Sequence, residues 1–143
     1  MKIAIVHDYI KEYGGAERVL EEFVKIFPEA DIYTSVYLPE HLGPHRKRFE
    51  KLKIHTSFLQ IIPFSAKLIS PMRLLAPLAF RSFNLSTYDV VLVSQTGAYF
   101  PNLVQKGNAK LICYTHTPPR YLYGYMTARN WKSNVFKRVI GNL

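Results

Sequence analysis

The sequence predicts an α/β protein built on a Rossmann-like, doubly wound parallel sheet. Apolar runs at residues 3–6, 88–94 and 110–114 each end in polar residues, and an amphipathic helical pattern follows the first run. Unbroken apolar runs are typical of strands that are buried on both faces of a parallel sheet. Strands that alternate with helices predict right-handed crossovers within a single sheet.

The first strand and the helix after it form the clearest unit of the chain. The first apolar run stops at the polar pair His7-Asp8, and the loop that follows carries Gly14-Gly15. From Ala16 the apolar residues recur at helical spacing, and Pro28 marks the end of the pattern. We expect the apolar stripe of this helix to cover the sheet. The residues predicted to face water are Glu17, Arg18, Glu21, Glu22 and Lys25.

Other segments predict the remaining elements. β-branched and aromatic residues predict strands at residues 31–37 and 53–56, and Gly107-Asn108 predicts a turn before the last strand. Near the end of the chain, Asn130 is a predicted N-cap of a helix that stops at Gly141. Because such a helix ordinarily leads back to another strand and none follows, the single domain at residues 1–143 is expected to be one half of a larger or split protein.

The stretch at residues 58–83 is apolar and basic and contains no acidic residue. Ser70 followed by Pro71 is the pattern of an N-cap with proline at the first helical position, so a helix to about Phe83 is predicted, bent near Pro77. The favoured interpretation is a pair of helices packed on the sheet, and the alternative is an amphipathic surface in a membrane interface. The predicted apolar side is Leu74, Leu75, Leu78 and Ala79, and the residues that would face headgroups are Lys67, Arg73 and Arg81.

Composition limits the class of protein. The 143 residues are 48% hydrophobic and 20% charged, which is typical of one folded domain. A single cysteine, Cys113, fits a reducing cytosol and does not fit a disulfide-stapled secreted fold. No signal peptide and no bilayer-spanning run is recognisable, so a cytoplasmic protein, soluble or peripheral at the membrane, is expected.

The net charge of +9 is unevenly distributed along the chain. Residues 1–50 hold nine acidic groups and seven Lys or Arg, giving −2, whereas residues 51–143 hold one acidic group and twelve Lys or Arg, giving +11. The cationic part is compatible with a solvated face and equally with attraction to the phosphates of a nucleotide, a lipid surface or a nucleic acid. Nucleic-acid binding is the least favoured of these, because no RNA or DNA motif is recognised.

Polar residues at the strand ends form the predicted site. Because the carboxyl ends of parallel strands meet at one edge of a sheet, we expect Gly14-Gly15, Gln95-Thr96-Gly97 and His116-Thr117 to lie along that edge. Glycine amides, a glutamine, hydroxyls and an imidazole suit hydrogen bonding to hydroxyls and phosphates. For His116 a structural role stays open, although its place at a strand end favours the site. The common phosphate-loop motifs are absent from the sequence. No set of His, Cys, Asp and Glu residues has the spacing of a metal site, so no metal is predicted.

Three blocks of the sequence carry a resemblance to a known family. They read HDYIKEYGGAERVLEEFVKIFPEADIYT, LSTYDVVLVSQTG and CYTHTPPRYLY. In this order and at these separations they resemble the amino-terminal domain of the family-4 retaining glycosyltransferases, which have two Rossmann-like lobes (the GT-B fold). The resemblance implies that Gly14 and Gly15 approach the donor diphosphate or the acceptor, and that His116 is the catalytic histidine near the transferred sugar. The acceptor-binding candidates are Glu17, Gln95, Thr117 and Arg120, with a structural salt bridge or carbonyl contact still open for Arg120.

The resemblance also implies a reaction and its partners. The co-substrate would be a nucleotide-diphosphate sugar, with no further cofactor, and the acceptor a saccharide or a lipid-linked molecule in cell-envelope or surface polysaccharide assembly. Family members have a second lobe that carries a nucleotide pocket and an E-x7-E motif, and this second lobe is expected to be absent from the chain. A helix N-terminus contributes roughly 0.3–2 kcal/mol toward an anion, whereas micromolar binding of a nucleotide sugar needs about −8.2 kcal/mol. The chain alone is therefore expected to be inactive, and a peripheral membrane module without its own catalysis stays open as an alternative.

Overall fold

A computed structural model describes residues 1–116, whose strands form one five-stranded sheet in the order β3-β2-β1-β4-β5. Every pair of neighbouring strands is parallel, so the predicted parallel α/β sheet is confirmed. The strands are β1 (Ile3–His7), β2 (Asp31–Thr34), β3 (Ile54–Thr56), β4 (Val90–Gln95) and β5 (Lys110–Thr115). The helices are α1 (Gly15–Ile26), α2 (Ser65–Met72) and α3 (Ala76–Arg81), joined by 3₁₀ turns at Pro39–His41, Gly43–Arg48, Phe58–Ile61 and Pro101–Leu103.

Strand β1 lies at the centre of the sheet, where the order of the strands reverses. After β1 the chain adds β2 and β3 on one side and then returns to add β4 and β5 on the other. The register places His7, the last residue of β1, opposite Ser94 of β4. In open parallel sheets the crevice at such a reversal is where ligands bind.

The two faces of the sheet are covered by different elements. Ala4 and Val6 of β1 face one core and Ile5 faces the other, because successive side chains of a strand alternate. The core around Ala4 and Val6 includes residues of α2 and α3, and the core around Ile5 includes Leu20 of α1. Burial on both faces explains why β1 and β4 are continuous apolar runs.

Helix α1 follows the predicted stripe with one exception. Leu20 is fully buried and the more exposed side of the helix carries Arg18 and Glu22, as predicted. Glu17 was predicted to face water, and this prediction is wrong because its side chain is only 5% exposed. A charged residue is buried in this way when it has partners that satisfy it.

The stretch at residues 58–83 forms two packed helices, as the favoured interpretation predicts, but at different positions. Helix α2 begins at Ser65, so Ser70 lies inside it and is not an N-cap, and Pro77 lies in the first turn of α3 instead of bending a longer helix. The predicted apolar side is wrong for Leu74, Leu75 and Leu78, which are exposed. The residues buried in their place, together with Ala79, are Ile69, Met72, Ala76 and Phe80.

The strands differ from prediction in length and in exposure. Strand β2 ends at Thr34 rather than at residue 37, although an isolated bridge between Ile10 and Tyr37 continues the parallel pairing. Strand β5 was predicted to be buried on both faces, but Ile112 and Tyr114 are nearly half exposed. Within residues 1–116 this strand pairs only with β4, so it lies at an edge.

The predicted helix from residue 130 to 141 lies outside the described residues. None of the helices at residues 1–116 has the length and hydropathy to cross a membrane.

Candidate functional site

The candidate site lies where β1, β4 and β5 end beside the start of α1. His7 ends β1, Ser94 precedes the last residue of β4, and His116 follows β5. The backbone N–H of His116 donates to the carbonyl of Gln95 at 2.8 Å, which extends the pairing of β4 and β5 to this residue. Alternation along the strands turns all three side chains to the face that α1 covers.

Four side chains at this position form one continuous series of contacts, which we name the contact chain. His116 Nε2 is hydrogen-bonded to Ser94 Oγ at 2.8 Å, and Ser94 Oγ is hydrogen-bonded to His7 Nδ1 at 3.0 Å. His7 Nε2 then lies 3.8 Å from Glu17 Oε1, which is an electrostatic contact rather than a hydrogen bond. His7, Ser94 and Glu17 are buried, and His116 is partly exposed.

The contact chain ends at the glycine loop. The second carboxylate oxygen of Glu17, Oε2, accepts a hydrogen bond from the Gly14 N–H at 2.9 Å. This is one side of a capping box, in which the third residue of a helix satisfies the amide before its first turn. A Cβ placed on Gly15 would have no heavy atom within 4 Å, so the loop is open at this residue.

Burial and neighbours shift the pKa values of the titratable groups. Burial raises the pKa of Glu17, but His7 and the amides it contacts outweigh this effect, so the pKa lies below its ordinary value of 4.5. Burial, and then the nearby His7, lower the pKa of His116 below its ordinary value of 6.5. At neutral pH the site therefore contains an ionised Glu17 and a neutral His116.

A second carboxylate, Asp8, fixes the loop after β4. Asp8 Oδ2 accepts hydrogen bonds from the backbone N–H of Thr96 at 2.8 Å and from its hydroxyl at 2.5 Å. The other oxygen, Oδ1, is buried and has no hydrogen-bond partner within the described part of the chain. Burial raises the Asp8 pKa above its ordinary value of 3.8 even though the Thr96 bonds lower it. Asp8 therefore ties the ends of β1 and β4 together.

The glycine loop is bordered by an aromatic and cationic group around Tyr13. The Tyr13 ring stacks on His45 with centroids 4.1 Å apart. The guanidinium carbons of Arg18 and Arg48 lie 5.7 Å and 5.3 Å from the centre of the same ring. Arg48 also pairs with Glu21 at 2.7 Å. These contacts place two positive charges beside the loop that precedes α1.

The structure brings together some of the predicted site residues and separates others. Gly14, Gly15, Glu17 and His116 all lie at the start of α1 or on the contact chain. Gln95 lies at the end of β4, but its side chain is bonded to Thr115 Oγ1 at 3.3 Å and takes no part in the chain. Thr117 and Arg120 lie outside the described residues. The functional roles given to all these residues stay predictions.

Three residues of the site were missed from the sequence as participants. Asp8 and His7 were noted only as polar residues that end a strand, and Ser94 was counted as part of an apolar strand. The signal that could have found Ser94 is register, because the last residue of β1 pairs with it in the neighbouring strand. Alternation then predicts that both point to the same face.

Neither a metal nor a relative identifies the site. No group of three side chains that could hold a metal ion occurs in residues 1–116. Comparisons of the chain with known protein families, with curated protein sequences and with solved structures find no match. A functional proposal therefore depends on the geometry at the ends of β1, β4 and β5 and on the resemblance of the three sequence blocks.

Proposed function

We propose that this chain is the amino-terminal, acceptor-side lobe of a retaining glycosyltransferase with a GT-B fold. It would act with a nucleotide-diphosphate sugar and a saccharide or lipid-linked acceptor in cell-envelope or surface polysaccharide assembly. The observation that carries the proposal is the contact chain, which links His116 to the glycine loop across the point where the strand order reverses. The resemblance of the three sequence blocks supports the same assignment.

The glycine loop supplies what a departing diphosphate requires. The first N–H groups of an α-helix have no intrahelical partners and attract anions. Because the amides of Gly14 and Glu17 contact the Glu17 carboxylate, the position left for a phosphate is at the amides of Gly15 and Ala16. Arg18 lies one turn further along α1 and adds a positive charge on the same side.

The strand ends supply what a sugar requires. A neutral imidazole at His116 and the polar groups around it can hydrogen-bond to sugar hydroxyls without a charge. In retaining transfer of this kind, the leaving diphosphate is stabilised while the acceptor hydroxyl attacks from the same face. Positioning and stabilisation of the leaving group then provide most of the rate, so no strong protein base is needed.

A second lobe completes the proposed enzyme. One helix start contributes only about 0.3–2 kcal/mol toward an anion, so the nucleotide needs a pocket that residues 1–116 do not offer by this means alone. We expect the coding sequence after Leu143 to encode, in frame, a second Rossmann-like lobe with paired glutamates. An unrelated sequence at that place would contradict the proposal.

A transferase assay tests the same proposal on the protein itself. The purified 143-residue chain, incubated with UDP-glucose or GDP-mannose and an acceptor, is expected to release no nucleoside diphosphate. The chain joined to the second lobe is expected to release it. Turnover by the short chain alone would show that a second lobe is not required, and the division into two lobes would then be wrong.

A second candidate function is docking on an anionic membrane, and a specific observation favours it. Large apolar side chains from residues 58–78 are exposed, with Ile61 at 82%, Leu74 at 80% and Phe64 at 77%. Lys67, Arg73 and Arg81 are exposed in the same stretch, and residues 51–88 contain no acidic group. Apolar insertion combined with attraction to anionic headgroups is how peripheral proteins bind membranes. This function is compatible with the first, because a lipid-linked acceptor lies in the membrane.

A further inference from the structure

The contact chain has an acceptor at one end that sets the direction of its hydrogen bonds. Glu17 is ionised at neutral pH, so both of its oxygens only accept. One oxygen takes the Gly14 N–H, and the other lies 3.8 Å from His7 Nε2. When His7 is neutral, the carboxylate therefore favours the form with the proton on Nε2.

Ser94 transmits the direction of the hydrogen bonds from His7 to His116. Its hydroxyl has a single proton, so it can donate only one hydrogen bond. With its proton on Nε2, His7 has a lone pair on Nδ1, so the Ser94 hydroxyl must donate to it. The Ser94 oxygen is then left to accept, and the group that contacts it is Nε2 of His116. His116 must donate from Nε2, which leaves a lone pair on its Nδ1.

We propose that Glu17, His7 and Ser94 are positioning residues that fix the tautomer of His116, so that its Nδ1 accepts a hydrogen bond from a substrate hydroxyl. The tautomer follows from the contacts of the chain with an ionised Glu17 and a neutral His7, and only the identity of the hydroxyl, that of a sugar, rests on the proposed transferase function. No described residue is hydrogen-bonded to His116 Nδ1.

The fixed tautomer determines which chemical group can bind at this end of the site. A lone pair on Nδ1 attracts an O–H group and repels a phosphate oxygen, which has no proton to donate. Sugar hydroxyls therefore belong at His116, and the phosphates belong at Gly15.

Histidine tautomers can be measured directly by long-range ¹H–¹⁵N correlation NMR on the 143-residue chain at pH 7.5. Both His7 and His116 are expected in the Nε2–H form. Either histidine in the Nδ1–H form, or His7 carrying two protons, would overturn the proposal. This first result needs no variant and no substrate.

Glu17→Gln is expected to reverse the direction of the hydrogen bonds along the contact chain. In this variant the Gly14 N–H donates to the oxygen of the new side-chain amide. The side-chain NH₂ group then takes the place of the carboxylate oxygen that faces His7. A donor group at that place favours a lone pair on His7 Nε2, and both histidines are expected to shift toward the Nδ1–H form by about tenfold in ratio. The control is Glu21→Gln, one turn along α1, where the carboxylate contacts Tyr13 and Arg48 and not the histidines.

Ser94→Ala in the Glu17→Gln background tests whether Ser94 couples the tautomer of His116 to that of His7. Without the hydroxyl, His7 should keep the Nδ1–H form while His116 returns to Nε2–H. A His116 ratio that follows His7 in the double variant, or that ignores Glu17→Gln, would overturn the proposal. Because the readout needs no substrate, an inactive two-lobed protein would refute the transferase function and leave the tautomer result intact.

Discussion

Glu17 accepts the amide hydrogen of Gly14 at 2.9 Å, so the protein's own carboxylate occupies one of the two glycine amides that were predicted to face a phosphate. The same carboxylate lies 3.8 Å from His7. Glu17 therefore caps α1 and also sets the direction of the hydrogen bonds along the contact chain. It thereby connects the start of α1 to the end of β1.

Replacing Glu17 by alanine is expected to reduce the free energy of unfolding by about 1–3 kcal/mol, because the Gly14 amide loses its capping partner and His7 loses its buried contact. Urea unfolding of the two proteins measures the difference. Glu22→Ala is the matched control, since this carboxylate is exposed on the same helix and pairs only with Lys25 among its described contacts. A loss no greater than that of the control would show that Glu17 does not cap α1.

Two glycine substitutions are expected to behave in opposite ways. Gly15→Ala should leave stability unchanged or raise it by up to about 1 kcal/mol, because the Cβ meets open space and alanine favours the helix. Gly107→Ala should cost about 1–3 kcal/mol, because φ is +54° and the Cβ would lie 2.8 Å from Ser86 Cβ. If Gly15→Ala were the more destabilising change in thermal unfolding, the open loop at Gly15 would be refuted.

The lowered pKa of His116 predicts a pH dependence of stability. Below pH 6.5 the unfolded chain takes up a proton at this residue before the folded chain does, so the folded state becomes less stable as the pH falls from 6.5 toward the folded pKa. Above pH 6.5 the contribution is complete and constant. His116→Gln should flatten the decline in this interval, as measured by urea unfolding at a series of pH values. An unchanged slope in the variant would assign the decline to other groups.

The membrane candidate predicts a loss of binding when the exposed basic residues are removed. Lys67, Arg73 and Arg81 changed together to serine should weaken co-sedimentation with phosphatidylserine-containing vesicles by about 100-fold, at about 1 kcal/mol for each charge. The equal-charge control is the serine triple at Lys47, Lys51 and Lys53, which are exposed outside residues 58–83. Equal losses in the two triples, or no loss in the first, would contradict a membrane surface at this stretch.

The sheet was predictable because its central strands, β1 and β4, are buried on both faces. Continuous apolar runs and glycine-containing loops mark β1, β4 and β5 with little dependence on the rest of the chain. The stretch at residues 58–83 was less predictable, since Ser70-Pro71 has the local pattern of a helix start. Burial of Met72, Ala76 and Phe80 against the sheet overrides that local pattern, and this packing is not visible from spacing alone.

The position of the candidate site in the sheet could be predicted from the sequence, but the contacts between its side chains could not. Strand ends and glycines predicted that Gly14, Gly15 and His116 lie near one edge of the sheet, and the contact chain joins them there. The role of Ser94 depends on the register between β1 and β4, and the role of Glu17 depends on how α1 packs beside the end of β1. A glutamate near a helix start is usually solvated, so its burial against His7 is a property of the tertiary structure.

A titration of the ¹⁵N-labelled 143-residue chain with UDP-glucose and, separately, GDP-mannose tests most directly whether the glycine loop and His116 form one site. At concentrations to about 10 mM, binding as weak as about −3 kcal/mol is detectable. We expect the amide signals of Gly15 and Ala16 and the side-chain signals of His116 to shift together, and Gly15→Val to abolish these shifts. Shifts confined to the basic residues 46–53, or none at either group, would contradict a shared sugar-phosphate site.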